Sequence, residues 1–116
     1  MLRFISRRIS LGIFFMLFTA FAQAEAGYVH VTDMSKVHYQ LMGDGKVYLR
    51  NLHSFRTGVT GCCYAFVLDT TTPYGKSAWS VILMKMASKS PLSLYVTDFN
   101  PPTSGAPAKI TNLGNW

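Results

Sequence analysis

Acidic residues are scarce in this chain: Glu25, Asp33, Asp44, Asp69 and Asp98 are all there are in 116 residues. Acid–base chemistry therefore has little material, and no Gly-x-Ser-x-Gly elbow marks a nucleophile. An enzyme is not expected. There are two cysteines and three histidines, His30, His38 and His53. None of the histidines stands at zinc-type spacing from the cysteines, so neither metal nor cofactor is expected. No internal repeat, second domain or sustained basic run is present. The eight Lys/Arg that follow residue 24, against five Asp/Glu, leave a scattered net charge of +3. That is too weak to argue nucleic-acid binding and fits a surface tolerant of anions.

What is present begins with an address. Met1 to Arg8 carries Arg3, Arg7 and Arg8 and no acid. An apolar run follows from Ile9 to Phe21, and Ala22-Gln23-Ala24 closes it with small residues. This is the order of a secretory signal peptide, residues 1–24, with cleavage expected after Ala24 and a second site after Ala26. The run falls short of the roughly 20 apolar residues that span a bilayer. Ser6-Arg7-Arg8 resembles a twin-arginine signal, but Ser10 stands where that motif has Phe, and the ordinary route is expected. Residues 25–116 form a single expected domain that is secreted or periplasmic, with no membrane span after cleavage. A domain of 92 residues, 116 less 24, gains from oligomerisation or a cross-link.

Strand patterning dominates this domain. Gly27 to Leu41 alternates imperfectly, and Asp33-Met34-Ser35 predicts a bend, a bulge or a break into two pieces. Gly43-Asp44-Gly45 is a hairpin turn signal, so this first segment is expected to pair with the strand Lys46–Leu52. His53 to Gly61 reads as loop. Cys62 to Leu68 is an almost continuous apolar run and predicts a third strand buried on both faces. Leu92–Thr97 and Lys109–Leu113 predict two more, joined by a loop over Asn100–Pro107.

One helix stands out, between the third and fourth strands. Thr72 is the expected N-cap and Pro73 the first helical residue. Trp79, Ile82, Leu83, Met86 and Ala87 predict one apolar stripe, and Pro91 ends the helix. Val81 and Met84 widen the apolar zone and are candidate oligomer contacts. Gly75-Lys76-Ser77 matches the end of a phosphate loop, but Thr70 stands where that loop needs its first glycine. Asp69, Thr72, Pro73, Gly75 and Lys76 are therefore read as a structural helix opening.

The predicted order, β-β-β-α-β-β, is that of a five-stranded OB-fold-like Greek-key barrel, mainly β with one helix. The alternative is an open α+β sheet with one helix.

Leu68-Asp69, Thr72, Gly75-Lys76, Leu83 and Ala87 resemble the motif of a family of small exported bacterial proteins of mostly unknown function. In that family a cysteine precedes a strand ending in Leu-Asp, and Thr-x-x-Gly-Lys opens the helix. A second cysteine follows the next strand. Its fold is similar to the OB-type binding subunits of pentameric bacterial toxins. The resemblance implies ring assembly and glycan recognition, by analogy. The second cysteine would fall near Phe99 or Asn100, and neither is Cys.

Cys62 and Cys63 are adjacent instead. Neighbouring Cα atoms lie about 3.8 Å apart, below the usual disulfide span, and side chains within a strand point to opposite faces. Two unbonded thiols, an intermolecular bond and a vicinal ring all remain open. Tyr39, Tyr48, Arg50, His53 and Arg56 cluster on the first two strands and the following loop, where OB-folds bind oligosaccharides or oligonucleotides. Tyrosine rings stack on sugars and arginine bonds carboxylates. Equally, tyrosine is a common half-buried sheet residue. The favoured expectation is a binding or assembly module, a homo-oligomer taking a glycan. A protein-interaction module of the envelope is second, and a thiol-active exported protein third.

Overall fold

The computed structural model describes residues 24–102 and 105–116. All but the last residue of the expected signal peptide, and Thr103 and Ser104 of the proline-rich loop, lie outside them. The described residues fold as a mainly β unit with one α-helix. Strands β1 (Gly27–Val31), β2 (Tyr39–Leu41), β3 (Lys46–Leu49) and β4 (Phe66–Asp69) precede helix α1 (Pro73–Ser88). Strands β5 (Leu92–Val96) and β6 (Ala108–Gly114) follow it. They form one open, mixed six-stranded sheet in the order β1-β5-β6-β4-β3-β2. Every pairing is antiparallel except β4 with β6.

Six strands replace the expected five because the first segment breaks in two. The Asp33 carboxylate accepts hydrogen bonds from the amide and hydroxyl of Ser35. This holds a 3-10 turn at Met34–Lys36, and the Met34 amide is tied across the molecule to the carbonyl of Ser90. β1 and β2 consequently lie at opposite edges of the sheet, and no pairing joins them among the described residues. The hairpin expected at Gly43–Gly45 forms between β2 and β3. Gly45 adopts φ +91°, a left-handed geometry that glycine takes at no steric cost.

The third strand starts four residues later than its apolar run predicts, at Phe66 instead of Cys62. α1 begins where expected, at Pro73 with Thr72 as its N-cap. The inner face of the sheet is built by alternation: Val29 and Val31, Val47 and Leu49, Phe66 and Leu68, Leu92, Leu94 and Val96 are all buried. α1 packs chiefly on the 3-10 turn and on β4, and closes this core with Ala78 and Ile82. The helix's buried line is thus Gly75, Ala78 and Ile82. Trp79, Val81 and Met86 are partly buried against the core, whereas Leu83 is 41% exposed and Ala87 is exposed. The stripe is rotated from its predicted position because the first turn presses its glycine onto the end of β4, which fixes the helix about its axis. Val81, one of the two candidate oligomer contacts, is partly buried against the core. Met84 is 58% exposed.

The helix opening is a compact set of bonds. Thr72 Oγ1 accepts from the Gly75 amide at 2.9 Å and donates to the Asp69 carbonyl at 3.0 Å. The Asp69 carboxylate accepts from the amide and hydroxyl of Thr71. The Thr71 hydroxyl and then its amide hold the Asp69 carboxyl below its ordinary value, as the Ser35 hydroxyl and amide do for Asp33. A carboxyl with a lowered folded pKa contributes stability that is complete above its unfolded value and lost as pH falls through the folded one. NMR titration should place both carboxyls below the ordinary Asp value of 3.8. Replacing Asp69 with Asn should flatten the acid limb of stability in that window, lowering stability near neutral pH, where the carboxylate's contribution is complete, and converging with wild type in acid.

Candidate functional site

The outer face of the sheet is where polar chemistry collects. Gln40, Tyr48 and Val67 are register partners across β2, β3 and β4, and share that face. Arg50 lies two residues beyond Tyr48 on the same side. Its guanidinium donates to Gln40 Oε1 at 3.2 Å and stands over the Tyr64 ring, 4.8 Å from the centroid. Tyr64 donates its hydroxyl to the same Gln40 oxygen at 2.8 Å. The Tyr48 and Tyr64 rings meet edge to face, with centroids 5.3 Å apart. Two rings, one amide and one guanidinium thus form a single platform, half-buried at Gln40, Tyr48 and Arg50 and exposed at Tyr64. Among the described residues the one ion pair is Lys46 with Asp44, so Arg50 has no carboxylate partner there.

Tyr64 reaches this face through an irregular turn. Cys62 and Cys63 are joined to each other by a disulfide, with Cα atoms 3.6 Å apart. Of the three states left open by the sequence, the vicinal ring is the one present, and no described cysteine is free. Cys63 adopts φ +76°, its amide donates to the Arg50 carbonyl at 3.0 Å, and the Tyr64 amide turns back to the Cys62 carbonyl at 2.8 Å. Bonding two side chains that a strand would send to opposite faces takes both out of the strand, which is why β4 begins only at Phe66. Beside the turn is a hollow of about 250 Å³, bordered by Thr60, Cys62, Tyr64, Pro101 and Pro102.

A second concavity lies at the other end of β3's outer face. Lys46, Tyr48 and Arg50 alternate along that strand. At the Lys46 end opens a groove of about 530 Å³, with Val67 in its floor and Asp69, Tyr74, Lys109 and Thr111 around it. Its lining is largely apolar. Burial, and then the neighbouring Tyr28, push the Tyr74 hydroxyl pKa up, so that hydroxyl stays protonated and able to donate.

The five residues singled out as a ligand cluster divide. Tyr48 and Arg50 come together on the platform. Tyr39 lies on the opposite face, 48% exposed, and packs edge to face on Trp79 of α1 at 5.1 Å. Its register partner is buried Leu49, and the alternation of β2 separates it from Gln40. His53 sits in a 3-10 turn at Leu52–Ser54 with its Nδ1 buried and without a hydrogen-bond partner. Arg56 donates to the Tyr28 carbonyl and stacks over Phe99, 4.7 Å from its centroid. That places it with the β1 edge.

Gln40 and Tyr64 are the residues that sequence reading missed. Gln40 shares alternation with the outer face of the hairpin, a signal that was there. Tyr64 fell inside an apolar run read as strand, where it would have pointed inward. No three His, Cys, Asp or Glu among the described residues gather closely enough to hold a metal ion, and no described helix is long and apolar enough to cross a membrane. Lys76 and Pro73 lie in the first turn of α1. No protein-family model, curated protein or solved structure matches the chain.

Proposed function

We propose that this chain is a small exported, non-catalytic binding module of OB type, and that its ligand is an acidic glycan held on the Gln40–Tyr48–Arg50–Tyr64 platform. The observation that carries the reading is the edge-to-face pairing of half-buried Tyr48 with exposed Tyr64, beside a guanidinium that has no carboxylate partner among the described residues. Tyrosine faces cover the apolar side of a sugar ring, and a guanidinium bonds a sugar carboxylate with two parallel donors. The adjoining groove, with Lys46 and Lys109 on its walls, gives a longer saccharide a second cationic stop along the same face.

The OB assignment is supported by connectivity. The two edge strands, β1 and β2, are consecutive in the chain and separated by a single 3-10 turn. They read as two halves of one bent first strand. With them merged, the chain has five strands, a helix after the third, and a parallel pairing of the third with the last. An OB-fold is itself a partly open Greek-key barrel. The resemblance to small exported bacterial proteins and to toxin binding subunits belongs to the same proposal.

A homo-oligomer or exported protein partner is favoured by a separate observation. The edge strand β2, paired with β3 on one side and with no strand on the other among the described residues, carries exposed Tyr39 and Leu41, followed by exposed Met42, and Leu83 lies one turn beyond Trp79, on which Tyr39 packs. An open strand edge with apolar side chains is a pairing surface.

A glycan array on the folded protein, with light scattering for its assembly state, tests both. Binding is expected to be confined to carboxylated saccharides. Arg50→Ala should weaken it about tenfold or more, the scale of a lost charge-assisted bidentate bond, while leaving the far-UV spectrum unchanged. An array without acidic hits, or hits indifferent to Arg50→Ala, would sink the glycan reading. A strict monomer would remove the ring-forming part.

A further inference from the structure

We propose that the Cys62–Cys63 disulfide is a redox-operated positioning device for Tyr64, holding its ring on the outer platform when oxidised and withdrawing it when a dithiol reduces the bond. The inference deepens the binding reading above and rests on it for its functional consequence, but not for its structural one.

The starting point is alternation. Phe66 and Leu68 of β4 point into the core and Val67 and Asp69 point out. Continuing that strand backwards puts Ala65 outside and Tyr64 inside, on the side of Phe66. The chain has every reason to continue: residues 62–68 are a β-favouring run, and the Cys63 amide already bonds the Arg50 carbonyl beyond the end of β3. Yet the Tyr64 ring lies outside, against Tyr48 and under Arg50. What reverses the alternation is the turn at Cys62-Cys63. Cys63 has φ +76°, a left-handed region that a non-glycine residue rarely occupies. The covalent link to its neighbour holds it there. Without the link, Cys63 has the steric preference of any L-residue and moves to negative φ. The run is then free to straighten, which carries Tyr64 off the platform and leaves Gln40 and Arg50 without the partner they share.

The chemistry balances with a dithiol as reductant. One of its thiolates attacks the sulfur of Cys62, the more exposed of the pair, and the Cys62–Cys63 bond breaks with release of the Cys63 thiolate, which takes a proton. The reductant's second thiolate then attacks the mixed disulfide and releases Cys62, which is protonated in turn. Two electrons and two protons pass to the protein, and the reductant leaves as its cyclic disulfide.

The test follows ring-to-ring NOEs between Tyr48 and Tyr64 in the folded protein, first oxidised and then under dithiothreitol with both thiols counted. The NOEs are expected when oxidised, lost when reduced, and restored on reoxidation, with core signals of Val29 and Leu94 unchanged throughout. The double variant Cys62→Ser/Cys63→Ser should match the reduced state. Cys62→Ala/Cys63→Gly should keep part of the NOE intensity, more than the double serine variant, and ignore dithiothreitol, because glycine occupies positive φ about as readily as negative without a cross-link. Persistence of the NOEs in fully reduced protein overturns the proposal. So does global unfolding on reduction, since a positioning device requires the sheet to persist. Trigalacturonate, a carboxylated saccharide, reads the consequence: it should bind the oxidised form about tenfold more tightly, the scale of one lost aromatic contact. If it binds neither form while the NOEs switch, the glycan reading falls and the positioning of Tyr64 stands. If it binds both forms equally while they switch, Tyr64 has no part in binding and the redox control of the site falls.

Discussion

Replacing Gly75 with Ala should destabilise the protein by about 3 kcal/mol or more, the upper range for overpacking a close-packed site. Helix propensity alone predicts the opposite sign, since alanine is favoured over glycine inside a helix by about 1 kcal/mol. The reversal comes from what a methyl group would meet. A Cβ on Gly75 would overlap the carbonyl oxygen of Asp69, lie 2.6 Å from that carbonyl's carbon and 3.0 Å from the Thr70 Cα. All three are backbone atoms at the junction of β4 and α1. None can swing aside as a side chain would. The same carbonyl accepts the Thr72 hydroxyl that caps the helix, so relieving the overlap also disturbs the cap. Urea unfolding followed by circular dichroism is the measurement. The midpoint should fall sharply in Gly75→Ala and stay near wild type in the neighbouring control Lys76→Ala, whose side chain is exposed. A Gly75→Ala protein as stable as its parent would show that the helix does not seat on β4 as described.

Truncation of Phe66 to Ala should have an effect of similar or greater size. The ring is wholly buried, at 0% exposure, on the first residue of β4. It belongs to the core that joins both halves of the sheet to Ala78 and Ile82 of α1. Phe→Ala changes in such positions cost about 3–5 kcal/mol, combining lost transfer energy with the cavity left behind. A small domain has a net stability of about 5–15 kcal/mol, so much of it would go. The melting temperature should fall by well over 10 °C, at about 4–8 °C per kcal/mol for a domain of this size. Met84→Ala is the matched contrast. It also removes a large apolar side chain, but from a site 58% exposed, and should change stability by no more than about 0.5 kcal/mol. Equal losses from the two variants would contradict the assignment of inner and outer faces, unless Met84 is covered in an oligomer. Light scattering on the same sample separates those cases.

The contrast between Phe66 and Met84 marks how far patterning could be read. Both stand in strongly apolar stretches. Strand alternation is a local rule with period two, so the inward face of β5 was legible from Leu92, Leu94 and Val96, and in β3 the division of Val47 and Leu49 from Tyr48 was legible but not which side faced the core. The helix was less so. Almost every position from Ala78 to Ala87 is apolar or a lysine, and such a sequence fits several rotations about the helix axis. The rotation adopted is decided by Gly75 against Asp69, a contact made between two elements. Leu83 and Ala87 accordingly turned outward, and Ala78 turned in. The hairpin at Gly43–Gly45 was legible because its glycine geometry is local. The break at Asp33–Ser35 was visible as a break. That its two halves lie at opposite edges of the sheet was not, because pairing partners are chosen by long-range packing.

The candidate site divides along the same line. Tyr48 and Arg50 were identifiable because they alternate on one strand of a hairpin set by its turn. Tyr39, His53 and Arg56 were grouped with them by proximity in sequence, and folding distributes them to three other places: the helix side, a 3-10 turn and the β1 edge. Tyr64 was hidden because its position depends on a covalent bond between two neighbouring cysteines, which composition cannot assign. The sequence by itself determined a β-rich chain with one capped helix, one reliable hairpin and alternating core faces, since each rests on local dihedral preference and periodicity. Only the tertiary structure decided the strand order, the rotation of α1, and the meeting of Gln40, Tyr48, Arg50 and Tyr64. Those depend on contacts between residues far apart in the chain and, at Cys62-Cys63, on a cross-link that reverses the alternation the sequence would otherwise impose.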